Sequence, residues 1–596
     1  MITAFVWSGE RLSAADQSIA SGPPGRAVVR PVTPLRARCR FKRYCRNMTT
    51  NESDVPVKAS DVMVRALENE GVERIFGIPG EENLDFLDSL RQSSIELVIT
   101  RHEQAAAFMA ATYGRLTGRP GVCLTTLGPG ALNLATGAAY AQLGGMPLVM
   151  ITGQKGVLTA EQAHFQIVNT VAAMGPLTKS THQIISPRMI PTMVREAFRI
   201  AVDERPGPVH LELPEDVAGS PVGHYELIPP HPIQRPTPST ESLVAAAAVI
   251  RNAKRPLLML GADASRADCS WPLAEFVPRV GIPYFTTQMG KGTVSGSTGL
   301  YMGTAALTER DYVHDVIDQA DVIVTIGHDT TEKPPFTMSE NGPTVVHLGF
   351  RAAVVEQVYF PQYEAIGDLG PTLLRLGDML EGQVPNGGAL LPMRDEVLAK
   401  IEQGSDEDRF TPQRIVHEVR RVMPVDGILA LDNGMYKIWF ARNYRTTRAN
   451  TVLLDNALAT MGAGLPSAIG AKLTHPDCRV MAICGDGGFM MNSQEMETAV
   501  RLGLDLVVLI LEDHAYGMIR WKQAVEGLAD YGMTFSNPDF VTYAEAYGAK
   551  GRRVEDIDDF HDALESAFAE GGVQLIVAPI DYTENVRVLI EELRNR

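Results

Sequence analysis

The sequence predicts three α/β domains, each a doubly wound parallel sheet, and three observations carry that expectation. Short apolar, β-branched runs alternate with Ala-rich stretches of helical periodicity. Glycines or acidic residues stand directly behind many of those runs, where an open parallel sheet binds its ligands. The scheme also occurs three times, in blocks separated by Pro- and Gly-bearing stretches. At roughly 150 residues per domain, a chain of 596 residues has room for about three or four.

The first 47 residues stand outside this scheme. They carry nine Lys/Arg against Glu10 and Asp16. Two readings are open for this basic extension: an organelle transit peptide, or an upstream start with Met48 opening the chain at MTTNESD. The first domain is expected over 55–225. Its strands are ELVIT (96–100), GVCLTT (121–126), PLVMITG (147–153) and PVHLELP (208–214), with a helix over QAAAFMAATYGRL (104–116). IPPHPIQRPTP (228–238) reads as a linker. The central domain, over 240–380, follows with RPLLMLGAD (255–263), ADVIVTIGHD (320–329) and PTVVHLG (343–349). EGQVPNGGALLPMRDE (381–396) then separates a third domain over 410–590. Its strands are GILALDNG (427–434), RVMAICGDGG (479–488), DLVVLILED (505–513) and VQLIVAPID (573–581).

Charge and composition exclude several classes. A formal net charge of −17, with no basic stripe in the main body, argues against a nucleic-acid partner. Cys39, Cys45, Cys123, Cys269, Cys478 and Cys484 show neither zinc-site spacing nor a disulfide framework. The longest apolar runs fall far short of the roughly 20 residues that span a bilayer. The expected protein is acidic and globular, belongs to a reducing compartment such as the cytoplasm, and has no membrane partner.

Two carboxylates stand out at strand ends of the third domain. In GDGGFMMNSQEMETAV (485–500) the strand VMAIC runs into three glycines around Asp486, and Asn492 or Ser493 can cap a helix behind the turn. Glycines let backbone N–H groups approach phosphate oxygens closely. A carboxylate among them makes sense with a bridging hard cation such as Mg²⁺, which takes carboxylate, carbonyl and phosphate oxygens. Asp513, 27 residues further on at the end of LVVLILE, is placed to supply a second carboxylate. In the first domain Glu103 follows a strand and opens the small, apolar stretch QAAAFMA. A carboxylate in such dry surroundings can trade a proton at neutral pH.

GDGG followed by EDHAYGM resembles the diphosphate-and-metal motif of thiamine-diphosphate enzymes. FGIPGEENLDFLDSL (76–90), TRHEQAAAFMAATYGRLTGRPGVCLTTLGPGALNLATG (100–137), MGKG (289–292) and DNALATMGAGLPSAIGA (455–471) resemble acetolactate synthases in order and spacing. The resemblance covers essentially all of 58–588. It implies metal ligation by Asp486, Asp513 and the carbonyl of Ala515. It implies that Glu103 hydrogen-bonds the cofactor's aminopyrimidine and promotes its imino tautomer. Met461 would wedge between the cofactor's two rings, where a plain reading of the residue is core. Pro79, Gly80, Gly434, Gly485, Gly487, Gly488, Met491, Tyr516 and Met518 would line the cofactor. Phe165 and Gln166 would lie on the substrate side, with Lys179, for which a surface lysine is an equal reading.

The resemblance further implies pyruvate or a related 2-oxoacid as substrate, and a homodimer or tetramer whose active sites are shared between subunits. It leaves room for a small regulatory subunit. Departures are visible. Glu512-Asp513 replaces the usual Asn-Asn pair, and Tyr436 stands where a histidine is usual. Trp521 falls one residue earlier than in branched-chain biosynthetic enzymes and lines up with the catabolic type. The stretch TIGHDTTEKPPF (325–336) lacks the arginine that flavin-bearing relatives carry. It puts Asp329 and Glu332 where a dinucleotide diphosphate needs positive charge, so FAD is expected to be absent. Rival readings are a benzoylformate-decarboxylase-like enzyme, an oxidase or a non-catalytic paralogue.

Overall fold

The computed structural model describes residues 57–157, 163–403 and 409–592, and the basic extension over 1–47 lies outside them. The described chain builds three six-stranded sheets, with every strand pair parallel. The first holds β1 (Arg74–Gly77), β2 (Glu96–Ile99), β3 (Gly121–Thr125), β4 (Leu148–Gln154), β5 (Ser180–Gln183) and β6 (Pro208–Pro214), in the order β2-β1-β3-β4-β6-β5. The second holds β7 (Pro256–Leu260), β8 (Tyr284–Thr287), β9 (Tyr301–Ala305), β10 (Val322–Ile326), β11 (Thr344–Gly349) and β12 (Tyr363–Ile366), in the order β12-β11-β10-β7-β8-β9. The third holds β13 (Ile428–Leu431), β14 (Val452–Leu453), β15 (Val480–Gly485), β16 (Leu506–Glu512), β17 (Lys550–Arg553) and β18 (Val573–Pro579), in the order β14-β13-β15-β16-β18-β17. This is the predicted fold class.

Five helices position the site: α1 (Glu103–Thr117), α2 (Gly464–Thr474), α3 (Asp486–Asn492), α4 (Glu495–Arg501) and α5 (Gly517–Glu526). Helix α1 packs along α2, joining the first domain to the third. Five alanines and Met109 of α1 are fully buried, and Gly470 of α2 lies so close that a Cβ there would meet the Met109 carbonyl oxygen at 2.8 Å.

Successive residues of β15 and β16 feed two different cores. Met481, Ile483, Val507, Leu509 and Leu511 join a core continuous with the central domain. Val480, Ala482, Cys484, Leu506, Val508 and Ile510 join one continuous with the first domain. A strand alternates its side chains between faces, so a strand covered on both faces reads as an unbroken apolar run. That is why LVVLILE was legible. A buried bidentate pair, Arg442 with Asp311 at 3.0 Å, ties the central domain to the third. Removing one partner would strand a buried charge at a cost of about 3–5 kcal/mol.

Among the described residues no helix is long and apolar enough to cross a membrane. Cys123, Cys269 and Cys484 are buried free thiols.

Candidate active site

The carboxyl ends of β13, β15 and β16 converge on one cavity of about 110 Å³. Its walls bring together Gly434, Met461, Gly485, Asp486, Gly487, Gly488, Asp513, Ala515, Tyr516 and Met518. It also includes Asn433, Tyr436 and Tyr582. Helix α3 begins at Asp486 itself, directly behind β15. The GDGG segment is therefore a strand end and a first helical turn. This corrects the expected capping: Ser493 closes α3 at its C-terminal end, and Asn492 donates to the Gly462 carbonyl at 2.7 Å and to Gln104 Oε1 at 3.2 Å.

The glycines are small because their neighbours are close. A Cβ on Gly487 would stand 3.0 Å from the Tyr516 ring and 3.1 Å from that of Phe535, and one on Gly488 would stand 3.1 Å from the Asp432 carboxyl group. Asp486 is 1% exposed. Its Oδ2 accepts the His514 N–H and the Asn537 side-chain amide, both at 2.8 Å, and Oδ1 accepts the Gly487 N–H at 2.9 Å. Asp513, one residue past β16, is pushed up to about 7 by burial and by the charge of Asp486. Among the described residues no cationic side chain is ion-paired with either carboxylate. His514 between Asp513 and Ala515 has φ +55°, which turns the chain so that Ala515 lines the cavity.

Glu512 does not add free negative charge here. Its carboxylate is held by Arg553 at 2.5 Å and by Asn537 at 3.1 Å, and these contacts keep it below the usual carboxylate range against the opposing effect of burial. One further group was missed by sequence reasoning. Asp432, buried behind β13 and pushed up to about 6 by that burial, accepts the N–H groups of Asn433 at 2.6 Å and Gly462 at 2.9 Å. It thereby anchors the loop that carries Met461, which is half-buried and faces the cavity. Tyr436 packs its ring beneath Gly434 and Gly485, and its hydroxyl accepts the Gly485 N–H at 2.9 Å. Asp432 directly follows the apolar run ILAL of β13, the same local signal that marks Asp513 behind β16, and that signal could have found it.

Glu103 opens α1, whose N-cap is His102; the His102 Nδ1 accepts the Gln104 N–H at 3.1 Å. The Glu103 carboxylate is half-buried and accepts the Asn133 amide at 2.9 Å. It does not line the cavity of Asp486 in the same chain. Pro79 and Gly80 follow β1, where a Cβ on Gly80 would collide with Thr126. Met491 is 45% exposed and lies outside the cavity lining. Phe165 is exposed, and Gln166 beside it has φ +57°. Lys179 turns its ammonium to the Ile200 and Asp203 carbonyl oxygens at the end of the helix Ile190–Val202, at 2.5 and 2.7 Å, and burial lowers it to about 8.

The donor set suits a hard cation bound together with a phosphate ligand. Among the described residues no group of three or more His, Cys, Asp or Glu could hold a metal unaided. Asp486, Asp513 and the Ala515 carbonyl offer oxygen only. Mg²⁺ commonly takes one or two carboxylates and completes its octahedron from phosphate and water. Gly485, Gly487 and Gly488 line the same cavity as these oxygens.

Three family models match the chain: the N-terminal TPP binding domain of thiamine pyrophosphate enzymes over 57–173, their central domain over 243–376, and their C-terminal TPP binding domain over 432–578. The acetolactate synthase of Bacillus subtilis (strain 168) is 32% identical over 558 residues, covering 91% of this chain and 96% of that protein. The catabolic acetolactate synthase of Raoultella terrigena is 34% identical over 541 residues, covering 88% and 95%. The large subunit of acetolactate synthase isozyme 2 from Escherichia coli (strain K12) is 30% identical over 535 residues, covering 89% and 96%.

Proposed function

Because the chain belongs to the thiamine pyrophosphate enzyme family and is related along its length to acetolactate synthases, we propose that it is a carboligase of that kind. It would join two pyruvate molecules and one proton into 2-acetolactate and CO₂. The observation that carries the reading is the meeting of Asp486, Asp513 and Met461 around a glycine-lined cavity. Bound there, thiamine diphosphate supplies the nucleophilic carbon that adds to a 2-oxoacid carbonyl and accepts the electron pair released with CO₂.

The chain's own residues do the rest. Asp486, Asp513 and the Ala515 carbonyl hold Mg²⁺, which neutralises the diphosphate. Gly485, Gly487 and Gly488 admit the phosphate oxygens, while Gly434, Tyr516 and Met518 shape the walls. Met461 is the apolar wedge that keeps the reacting groups together and water out. Met491 borders that region from outside the cavity. Glu103 holds or gives up a proton at the aminopyrimidine, with Pro79 and Gly80 beside that ring. Glu103 is not among the residues that line the Asp486 cavity of its own chain, which supports a second copy supplying the glutamate, with a homodimer as the smallest active unit and a tetramer left open. Phe165, Gln166 and Lys179 would border the substrate 2-oxoacid.

Incubation with pyruvate, thiamine diphosphate and Mg²⁺, followed by acid conversion of acetolactate to acetoin, tests the reading. CO₂ released without acetolactate would make the protein a simple decarboxylase, and no turnover of any 2-oxoacid would make it a non-catalytic paralogue. Activity of the purified chain alone would show that a regulatory subunit is dispensable.

A further inference from the structure

We infer that Asn537 is a positioning residue of the cation site, the side chain that aims Asp486. The inference rests on the proposed Mg²⁺–diphosphate reading and deepens it. Asn537 lies on a segment laid beside the turn that follows β16. Ala515 and Thr534 form an antiparallel bridge, the Tyr516 N–H donates to the Met533 carbonyl at 2.9 Å, and the Phe535 N–H donates to the His514 carbonyl at 3.1 Å. The Tyr516 and Phe535 rings pack at 5.0 Å. This backbone pairing delivers the Asn537 amide to Asp486.

The amide nitrogen stands 2.8 Å from Asp486 Oδ2, 3.1 Å from Glu512 Oε1 and 3.1 Å from His514 Nδ1. An amide has two protons, so one serves Asp486 and the other the Glu512–His514 side. Asp486 Oδ2 then receives two donors, Asn537 and the His514 N–H, which together occupy its lone pairs. Oδ1 receives the Gly487 N–H alone and keeps a lone pair for a cation. On the other side, the Arg553–Glu512 pair fixes the far end of the amide. Without Asn537 the Asp486 carboxylate could turn, and Glu512 would lose the donor that separates it from Asp486.

The test is a Mg²⁺ titration of thiamine diphosphate binding, followed by intrinsic tryptophan fluorescence, on the full chain and on Asn537→Ala. Partners that orient a metal ligand are typically worth about 10- to 100-fold in metal affinity. The expected result is therefore a half-saturating Mg²⁺ concentration raised about tenfold or more, with the melting temperature of the cofactor-free protein unchanged. If the alanine variant does not fold, Asn537→Ser keeps a small polar side chain on the loop and reads the same quantity. A variant that binds Mg²⁺ as the parent does, or that melts earlier without any change in Mg²⁺ dependence, overturns the inference alone. A parent protein that binds no thiamine diphosphate with Mg²⁺ overturns the cofactor reading and the inference with it.

Discussion

Glu495 Oε1 accepts the backbone N–H groups of both Arg101 and His102, each at 3.0 Å, so a side chain of the third domain holds the turn that leads into Glu103. Glu495 is fully buried at the start of α4, and burial pushes it up to about 7. The folded protein keeps a proton there that the unfolded chain releases near the ordinary carboxylate value. This contribution to stability is therefore full at acid pH and is lost as pH rises through about 7. Glu495→Gln should flatten the fall in melting temperature between about pH 4.5 and pH 7. Melting curves that run parallel for parent and variant across that window would show that Glu495 does not titrate with folding.

Glu103→Gln keeps the size and the Asn133 contact but cannot exchange a proton. Thiamine diphosphate affinity should stay within a few-fold of the parent while turnover falls about 10²-fold or more, as for a lost acid–base group. Near-parental turnover would remove Glu103 from the chemistry.

Asp486→Ala should abolish activity through loss of Mg²⁺ and diphosphate, and thiamine diphosphate binding that survives EDTA would contradict the bridge. The parent protein should show a pH signature as well. With Asp513 at about 7, a cation binding below that pH must displace a proton. The half-saturating Mg²⁺ concentration should rise on acidification below about pH 7, approaching tenfold per unit, and should level off above it. A flat profile would mean that Asp513 does not bind the metal.

No stoichiometric flavin is expected. Asp329 is ion-paired with Arg205 at 2.9 Å, so that arginine is already engaged. Buried Glu332 accepts the Met289 N–H at 3.0 Å, which occupies a donor of the MGKG turn. A dinucleotide diphosphate would meet two acidic side chains and few open donors. Absorbance near 450 nm amounting to one flavin per chain would refute this.

The inner strands were legible because burial on both faces leaves a local mark, an apolar run such as VMAIC or LVVLILE. Several outer strands left none. STHQ of β5 and KGRR of β17 are polar because an edge faces solvent, and β14 is two residues long. Asp486 and Asp513 were legible because each ends such a run.

By itself, then, the sequence determined the alternation of strand and helix, the three blocks, and the pair of carboxylates behind β15 and β16. Those features are written in the period of apolar residues and in short, local spacings. Only the tertiary structure decided that Asp432 ties down the Met461 loop, that Arg553 neutralises Glu512, that Asn537 reaches Asp486 and that Glu495 holds the turn before Glu103. Each of these contacts joins segments far apart in the chain. In each the acceptor is a buried carboxylate that has lost water as a competing partner, and no local pattern records which donors will reach it.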